Sequence, residues 1–205
     1  MKNGEKNNFC QVSLARDIPI IIENYYAFKK YYKLFNIFII CPKNEISEFK
    51  TRLNFEEINI IDEDTIISFK DFNKIFEELN TSIKYQDSFK ERLGWYYQQI
   101  LKISFVLHFI NLKKENIVIW DADTIILKKI NFFKDKHSIK YGTLFESHKE
   151  YYKTNEKIIG KLPNYFISSL VQFIGLSVTE YNFFIQNVLK SEKINEEINL
   201  MLSKI

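Results

Sequence analysis

Along the first 120 positions, apolar residues come in short dense runs separated by stretches where they recur every three or four places. Phe9 to Ala15 is a run suited to a strand. Asp17 then stands as a helix N-cap and Pro19 in the first turn, predicting a helix to about Tyr32. Leu34 to Ile40 is β-branched and aromatic and is closed by Cys41-Pro42, a second strand. Asn44 to Leu53 reads as a short helix, and Ile58 to Ile61 as a third strand ended by Asp62-Glu63-Asp64. Phe69 to Leu79 and Ser88 to about Asn111 have helical spacing. Asn116 to Trp120 is an apolar strand running into Asp121-Ala122-Asp123. Strands alternating with helices predict an α/β layer with a mostly parallel central sheet flanked by helices.

The second half is less regular. Ile139 to Phe145 and Leu170 to Ile174 suit strands, and Thr179 to Leu189 and Glu192 to Ile205 suit helices. Leu162 to Thr179 carries no formal charge, but Pro163, Asn164, Ser168, Ser169, Gln172 and Ser177 make it a poor membrane span. It is expected to be a buried strand with flanking turns. In the last helix Ile194, Ile198, Met201, Leu202 and Ile205 form one stripe, suited to core contact or to a partner or membrane surface.

Composition narrows the function. A chain of 205 residues, 46% hydrophobic, predicts one domain with an ample core. Five glycines, none close to another, exclude a P-loop and a dinucleotide fingerprint, which cluster glycines so that backbone N–H groups reach phosphate. A net charge of +3 without a basic stripe argues against nucleic acid. Lys113-Lys114 and Lys128-Lys129 fit solvated loop ends. Cys10 and Cys41 form no CxxC pair and fit buried thiols in a reducing compartment. His108, His137 and His148 are too scattered for a zinc site. The polar N-terminus, Met1 to Asn8, lacks the apolar segment of a signal peptide, so a cytoplasmic protein is expected.

The sharpest chemical feature is Trp120-Asp121-Ala122-Asp123-Thr124 at the carboxyl end of a predicted strand. Alternation along a strand projects Asp121 and Asp123 to one side. Two carboxylates held together favour a cation, and magnesium-type ions are held by one or two carboxylates plus substrate phosphates. A capped strand end is the alternative. In the preceding helix Arg92, Trp95, Gln98, Gln99 and Lys102 form one polar stripe. A solvated face explains such a stripe; so does a ligand face, with Lys102 a point charge for a diphosphate and the glutamines hydrogen-bonding sugar or orienting the aspartates.

The run Gly94-Trp95-Tyr96-Tyr97-Gln98-Gln99-Ile100-Leu101-Lys102, followed by the apolar strand and Asp121-Ala122-Asp123-Thr124, resembles bacterial DXD glycosyltransferases of the GT-A fold. It is most similar to an uncharacterised glycosyltransferase-like family with a GW..QQ..K helix before a DAD strand. The likeness spans about residues 9 to 190 in order of elements. It implies a single Rossmann-like nucleotide-sugar-binding domain over 1–205, with 9–125 the nucleotide-sugar half and 126–205 a short acceptor-side half. Ala15, Arg16 and Asp17 after the first strand and Asp62 after the third sit where such proteins line the nucleotide pocket. The resemblance assigns Asp123 to a manganese or magnesium ion, Asp121 to the ribose or the metal's surroundings, and Lys102 to the diphosphate. It also implies a late histidine ligand, which none of the three histidines supplies; Gln172 stands on a strand where a polar ligand is expected.

The activity implied is transfer of a sugar from a nucleotide-diphosphate sugar to a hydroxyl of a glycan or glycolipid acceptor, as in bacterial capsule or lipooligosaccharide synthesis. A glycolipid acceptor implies peripheral contact with the inner face of the cytoplasmic membrane. An inverting enzyme needs a general base, for which Glu146 and His148 are candidates; as plain loop residues they would leave a retaining mechanism open. Two rivals stand beside this reading. A haloacid-dehalogenase-like phosphatase also places two aspartates after an apolar strand, but at its first strand. An inactive binding or scaffold protein would keep the fold without an acceptor site.

Overall fold

The computed structural model describes residues 6–82, 92–139 and 173–187. It is a mixed α/β structure, compatible with a Rossmann-like fold. In chain order it contains β1 (Asn7–Val12), α1 (Ile18–Tyr31), β2 (Phe35–Cys41), α2 (Ile46–Arg52), β3 (Ile58–Asp62) and α3 (Phe69–Ser82). There follow α4 (Leu93–Lys113), β4 (Ile117–Trp120), the short pair β5 (Phe133–Lys134) and β6 (His137–Ser138), β7 (Phe173–Leu176) and α5 (Val178–Asn187). Short 3₁₀ turns precede α1 and α2 and follow β3.

Five strands form one sheet in the order β3-β2-β1-β4-β7. The first four are parallel and β7 runs antiparallel against β4. Period-two alternation sorts their side chains onto two layers. Phe9, Ile37, Ile39, Val118 and Trp120 pack with Ile18, Ile21, Tyr25 and Phe28 of α1 and Phe49 of α2. Cys10, Val12, Ile40 and Ile117 face the other way, onto Tyr97, Leu101, Phe105, Val106 and Ile110 of α4. Strands covered on both faces read as continuous apolar runs, which is why β1 and β2 are legible without alternation.

Aromatic rings fill the α1 layer. Phe9 stacks on Phe28 with centroids 4.1 Å apart, Trp120 meets both edge-on, and Phe173 of β7 stacks on Trp120 at 5.2 Å. Truncating Phe28, which is fully buried, to alanine would cost about 3–5 kcal/mol.

Several expectations change in detail. Asp17 does not cap α1 with its side chain; its carboxylate accepts from Leu14 N–H at 2.9 Å and closes the 3₁₀ turn before the helix. The uncharged stretch contributes β7, whose Ile174 is 43% exposed, so its described part is an outer strand rather than a buried one. Ser177 and Glu180 then start α5 as a capping box, the serine hydroxyl accepting from Glu180 N–H and the glutamate from Ser177 N–H. Ile139 lies just beyond β6, and the rest of the strand expected over 139–145 falls outside the described residues, as do the last helix and Gln172. Cys10 and Cys41 are buried free thiols, and Lys113, Lys114, Lys128 and Lys129 are exposed, as expected. Among the described residues no helix is long and apolar enough to cross a membrane.

Candidate functional site

The loops that leave β1, β2, β3 and β4 emerge on one edge of the sheet, because these strands are parallel. In doubly wound sheets ligands bind outside the carboxyl ends, at the point where strand order reverses. Here that point lies between β1 and β4, whose register pairs Cys10 with Ile119. Continued by two residues, the register sets Val12 level with Asp121. Buried polar groups collect at this edge: Gln11, Ser13 and Thr124 are each at most 9% exposed, and the Gln11 amide donates to Ser13 Oγ at 3.1 Å.

Strand β4 ends at Trp120, so Asp121-Ala122-Asp123 forms a turn beyond it, closed by Thr124 N–H donating to Asp121 O at 3.1 Å. The alternation that would point both aspartates the same way therefore does not apply. Three side-chain hydrogen bonds fix the turn instead. Trp120 Nε1–H donates to Thr124 O at 2.9 Å. Asn24 Nδ2 of α1 donates to the same carbonyl at 2.6 Å, and Asn24 Oδ1 accepts from Ile126 N–H at 3.1 Å. Asn24 is 2% exposed. It was absent from the sequence candidates, although an amide on the α1 face that also carries Ile21, Tyr25 and Phe28 is a readable signal. Thr124 Oγ1 is buried and finds no hydrogen-bond partner.

The polar stripe of α4 runs from solvent into this site. Arg92 precedes the helix and is exposed, Trp95 is half exposed, and Gln98 and Gln99 are partly buried. Lys102 is only 6% exposed, and its Nζ donates to Asp121 Oδ1 at 2.6 Å. The ammonium is thus occupied by a carboxylate rather than standing open for phosphate alone. One hydrogen bond uses one of its three donors. Neighbouring Cys10 is held as a thiol: burial pushes its pKa well up, and the nearby Lys102 charge only partly offsets this.

The loop after β1 is braced from two sides. Asp17 holds Leu14 N–H, and Glu45, in the loop after β2, accepts from Ala15 N–H at 2.7 Å. Arg16 projects outward with its side chain 79% exposed. Asp62 ends β3, where its carboxylate accepts from Asp64 N–H at 3.0 Å and it lines an open depression of about 570 Å³ with Lys43, Ser47 and Lys50. Three strand spacings separate β3 from β4, roughly 14 Å. Asp62 and Asp121 therefore share a ligand only if it lies lengthwise across β2 and β1. Next to Asp62, burial and then the charges of Asp64, Asp62 and Glu45 raise the Glu63 carboxyl to about 7.

The edge is rich in carboxylates: Asp17, Glu45, Asp62, Glu63, Asp64, Asp121 and Asp123 stand against Arg16, Lys43, Lys50 and Lys102. Among the described residues no three His, Cys, Asp or Glu side chains gather as a metal cage. Asp123 is exposed, and the second oxygen of Asp121 is not used by Lys102. That donor set fits a hard cation held by one or two carboxylates and completed by phosphate and water, and it does not fit an all-protein cage. Glu146 and His148 lie outside the described residues. His137 is exposed on the β5-β6 hairpin, and His108 is on α4.

A family profile described as "Family of unknown function (DUF6492)" matches residues 13–192. No curated protein matches the chain.

Proposed function

The chain belongs to DUF6492, a family of unknown function; on the geometry of the site we propose that it is a metal-dependent glycosyltransferase of the GT-A kind. It moves a hexose-type sugar from a nucleotide-diphosphate donor to a glycan or glycolipid hydroxyl in bacterial surface-glycan synthesis, on the cytoplasmic side. The observation that carries this reading is the Lys102–Asp121 pair, set beside Asp123 where strand order reverses.

An anionic donor laid along so acidic an edge needs positive charge. When bound, a manganese or magnesium ion supplies it against the departing diphosphate. Asp123 and the free oxygen of Asp121 would hold that ion. Lys102 fixes the Asp121 carboxylate and keeps further N–H donors for the donor's phosphates. Gln98 and Gln99, half-buried one turn earlier on α4, suit sugar hydroxyls, and exposed Trp95 offers a flat apolar face at the rim. Ala15 and Arg16 edge the same crevice, while Asp17 shapes their loop. Asp62 serves a donor long enough to reach β3. Either Glu146 or His148 would act as general base in an inverting reaction.

A thermal-shift screen of nucleotide sugars, with and without manganese or magnesium, tests this. The expected result is metal-dependent stabilisation by one nucleotide class, lost in Asp123→Ala. No response to any nucleotide under either metal overturns it. Binding without turnover favours the inactive binding protein. The phosphatase reading has less support, because the two aspartates follow the fourth strand in chain order.

A further inference from the structure

Leu127 is 83% exposed, more than any other large hydrophobic side chain among the described residues. It sits in the segment leaving the Asp121–Asp123 turn, two residues after Ile125, itself 47% exposed. Such exposure usually marks a loose loop. This loop is tied down: Tyr31 Oη donates to Leu127 O at 2.7 Å, and Tyr32 Oη donates to Ile130 O at 3.0 Å and accepts from Ile130 N–H at 3.1 Å. With the Asn24 clamp, α1 and Tyr32, the residue that ends it, hold the backbone on both sides of Leu127. The side chain is therefore presented to solvent by a preorganised backbone, and inserting it elsewhere costs little ordering entropy.

Lysines stand close to it. Lys128 and Lys129 follow it and are exposed. Lys30 places its ammonium 5.4 Å from the Tyr31 ring, the ring whose hydroxyl holds Leu127. The chain carries no acidic residue from 124 to 134, and none from 24 to 44, while the acids that bound these stretches, Asp123 and Glu23, are exposed. Lys29 is turned toward Tyr25 and is not counted.

We propose that Leu127, followed in the chain by Lys128 and Lys129 and held by the Tyr31 ring that Lys30 covers, docks the protein onto the surface of an anionic lipid bilayer. Apolar residues entering the acyl boundary while lysines meet anionic headgroups is the general pattern of peripheral attachment. A second copy of the chain is a poorer occupant, since symmetric pairing sets the same lysines against one another. Leu112 provides a contrast: it is 61% exposed beside Lys113 and Lys114, but Glu115 follows at once and the group lies at the opposite end of β4. The proposal does not rest on sugar transfer.

The test is co-sedimentation of the full chain with phosphatidylcholine vesicles and with mixed phosphatidylcholine–phosphatidylglycerol vesicles, without nucleotide or metal. Binding only to the anionic vesicles, weakened by salt, is expected. Each lysine near such a surface strengthens attachment by about fivefold, so Lys128→Ser with Lys129→Ser should lower partitioning roughly 25-fold. Leu127→Ser should lower it several-fold, and Leu112→Ser should leave it unchanged. The substituted side chains are exposed, and an unchanged thermal melt verifies folding. Equal binding to both vesicle types, no binding to either, or variants that bind like the parent overturn the proposal. So does concentration-dependent dimerisation that Leu127→Ser abolishes.

Discussion

Lys102 and Asp121 share a hydrogen bond of 2.6 Å, yet the lysine side chain is 8% exposed and the aspartate side chain 38%. The two ends of the pair are therefore not equivalent. Asp121 retains water if its partner is lost; Lys102 has little to fall back on. A charge left buried without its partner is strongly destabilising, whereas an apolar side chain of similar volume is tolerated.

This asymmetry predicts unequal mutants. Asp121→Asn should lower stability by about 2–3 kcal/mol, discounted from the fully buried case because the aspartate is partly solvated. Lys102→Met should stay within about 1 kcal/mol of the parent. Urea denaturation of both variants decides the matter, and equal losses would contradict the assignment.

Asn24 should matter out of proportion to its size. Asn24→Ala removes one of two donors to Thr124 O, which keeps Trp120 Nε1–H, and the acceptor for Ile126 N–H, which is left buried and unpaired. A loss of about 2–3 kcal/mol is expected. Hydrogen exchange should quicken at residues 124–127 more than in β1 or β2. Uniform quickening would mean the clamp is not local.

Glu63 predicts a pH dependence. Its carboxyl is raised from 4.5 to about 7 in the fold, by burial first and then by Asp64, Asp62 and Glu45. The folded state thus binds the proton more tightly than the unfolded state. Its contribution to stability is full below pH 4.5 and declines as pH rises toward 7. Because the group is partly exposed to solvent, the decline is about 1–2 kcal/mol. Glu63→Gln should flatten this part of the profile in denaturant titrations; an unchanged slope would assign it to other groups.

The capping box at α5 gives a further check. Ser177→Ala should cost about 1 kcal/mol, read as a lower thermal midpoint. Glu180→Ala should cost more, because this carboxylate also accepts from Ser138 N–H and Oγ and joins α5 to β6.

How far the fold could be read from the chain depended on where burial falls. β1 and β2 are covered on both faces, so their apolar runs stand out; β2 lies one residue from its expected bounds at each end, while β1 begins two residues earlier and ends three earlier than expected. β7 has one exposed position and a capping serine directly behind it, signals that an uncharged stretch hides. At the site, residue types were legible and geometry was not. Periodicity put Gln98, Gln99 and Lys102 on one face, but that this face tilts into the sheet is set by packing of Leu101 and Phe105 against β1. The end of β4 is set by Trp120 and Asn24, ninety-six residues apart, and no local pattern reports such a contact.

The two tryptophans of this chain stand on opposite layers of the sheet and in opposite environments. Trp120 is sealed in the core and bonded to the carboxylate turn, while Trp95 stands half in solvent on the helix that delivers Lys102. One indole therefore emits from an apolar setting and the other from a wet one. A ligand held by the carboxylate turn and the polar stripe of α4 would perturb the two emission bands differently, so the protein carries its own optical reporter of occupancy and needs no label.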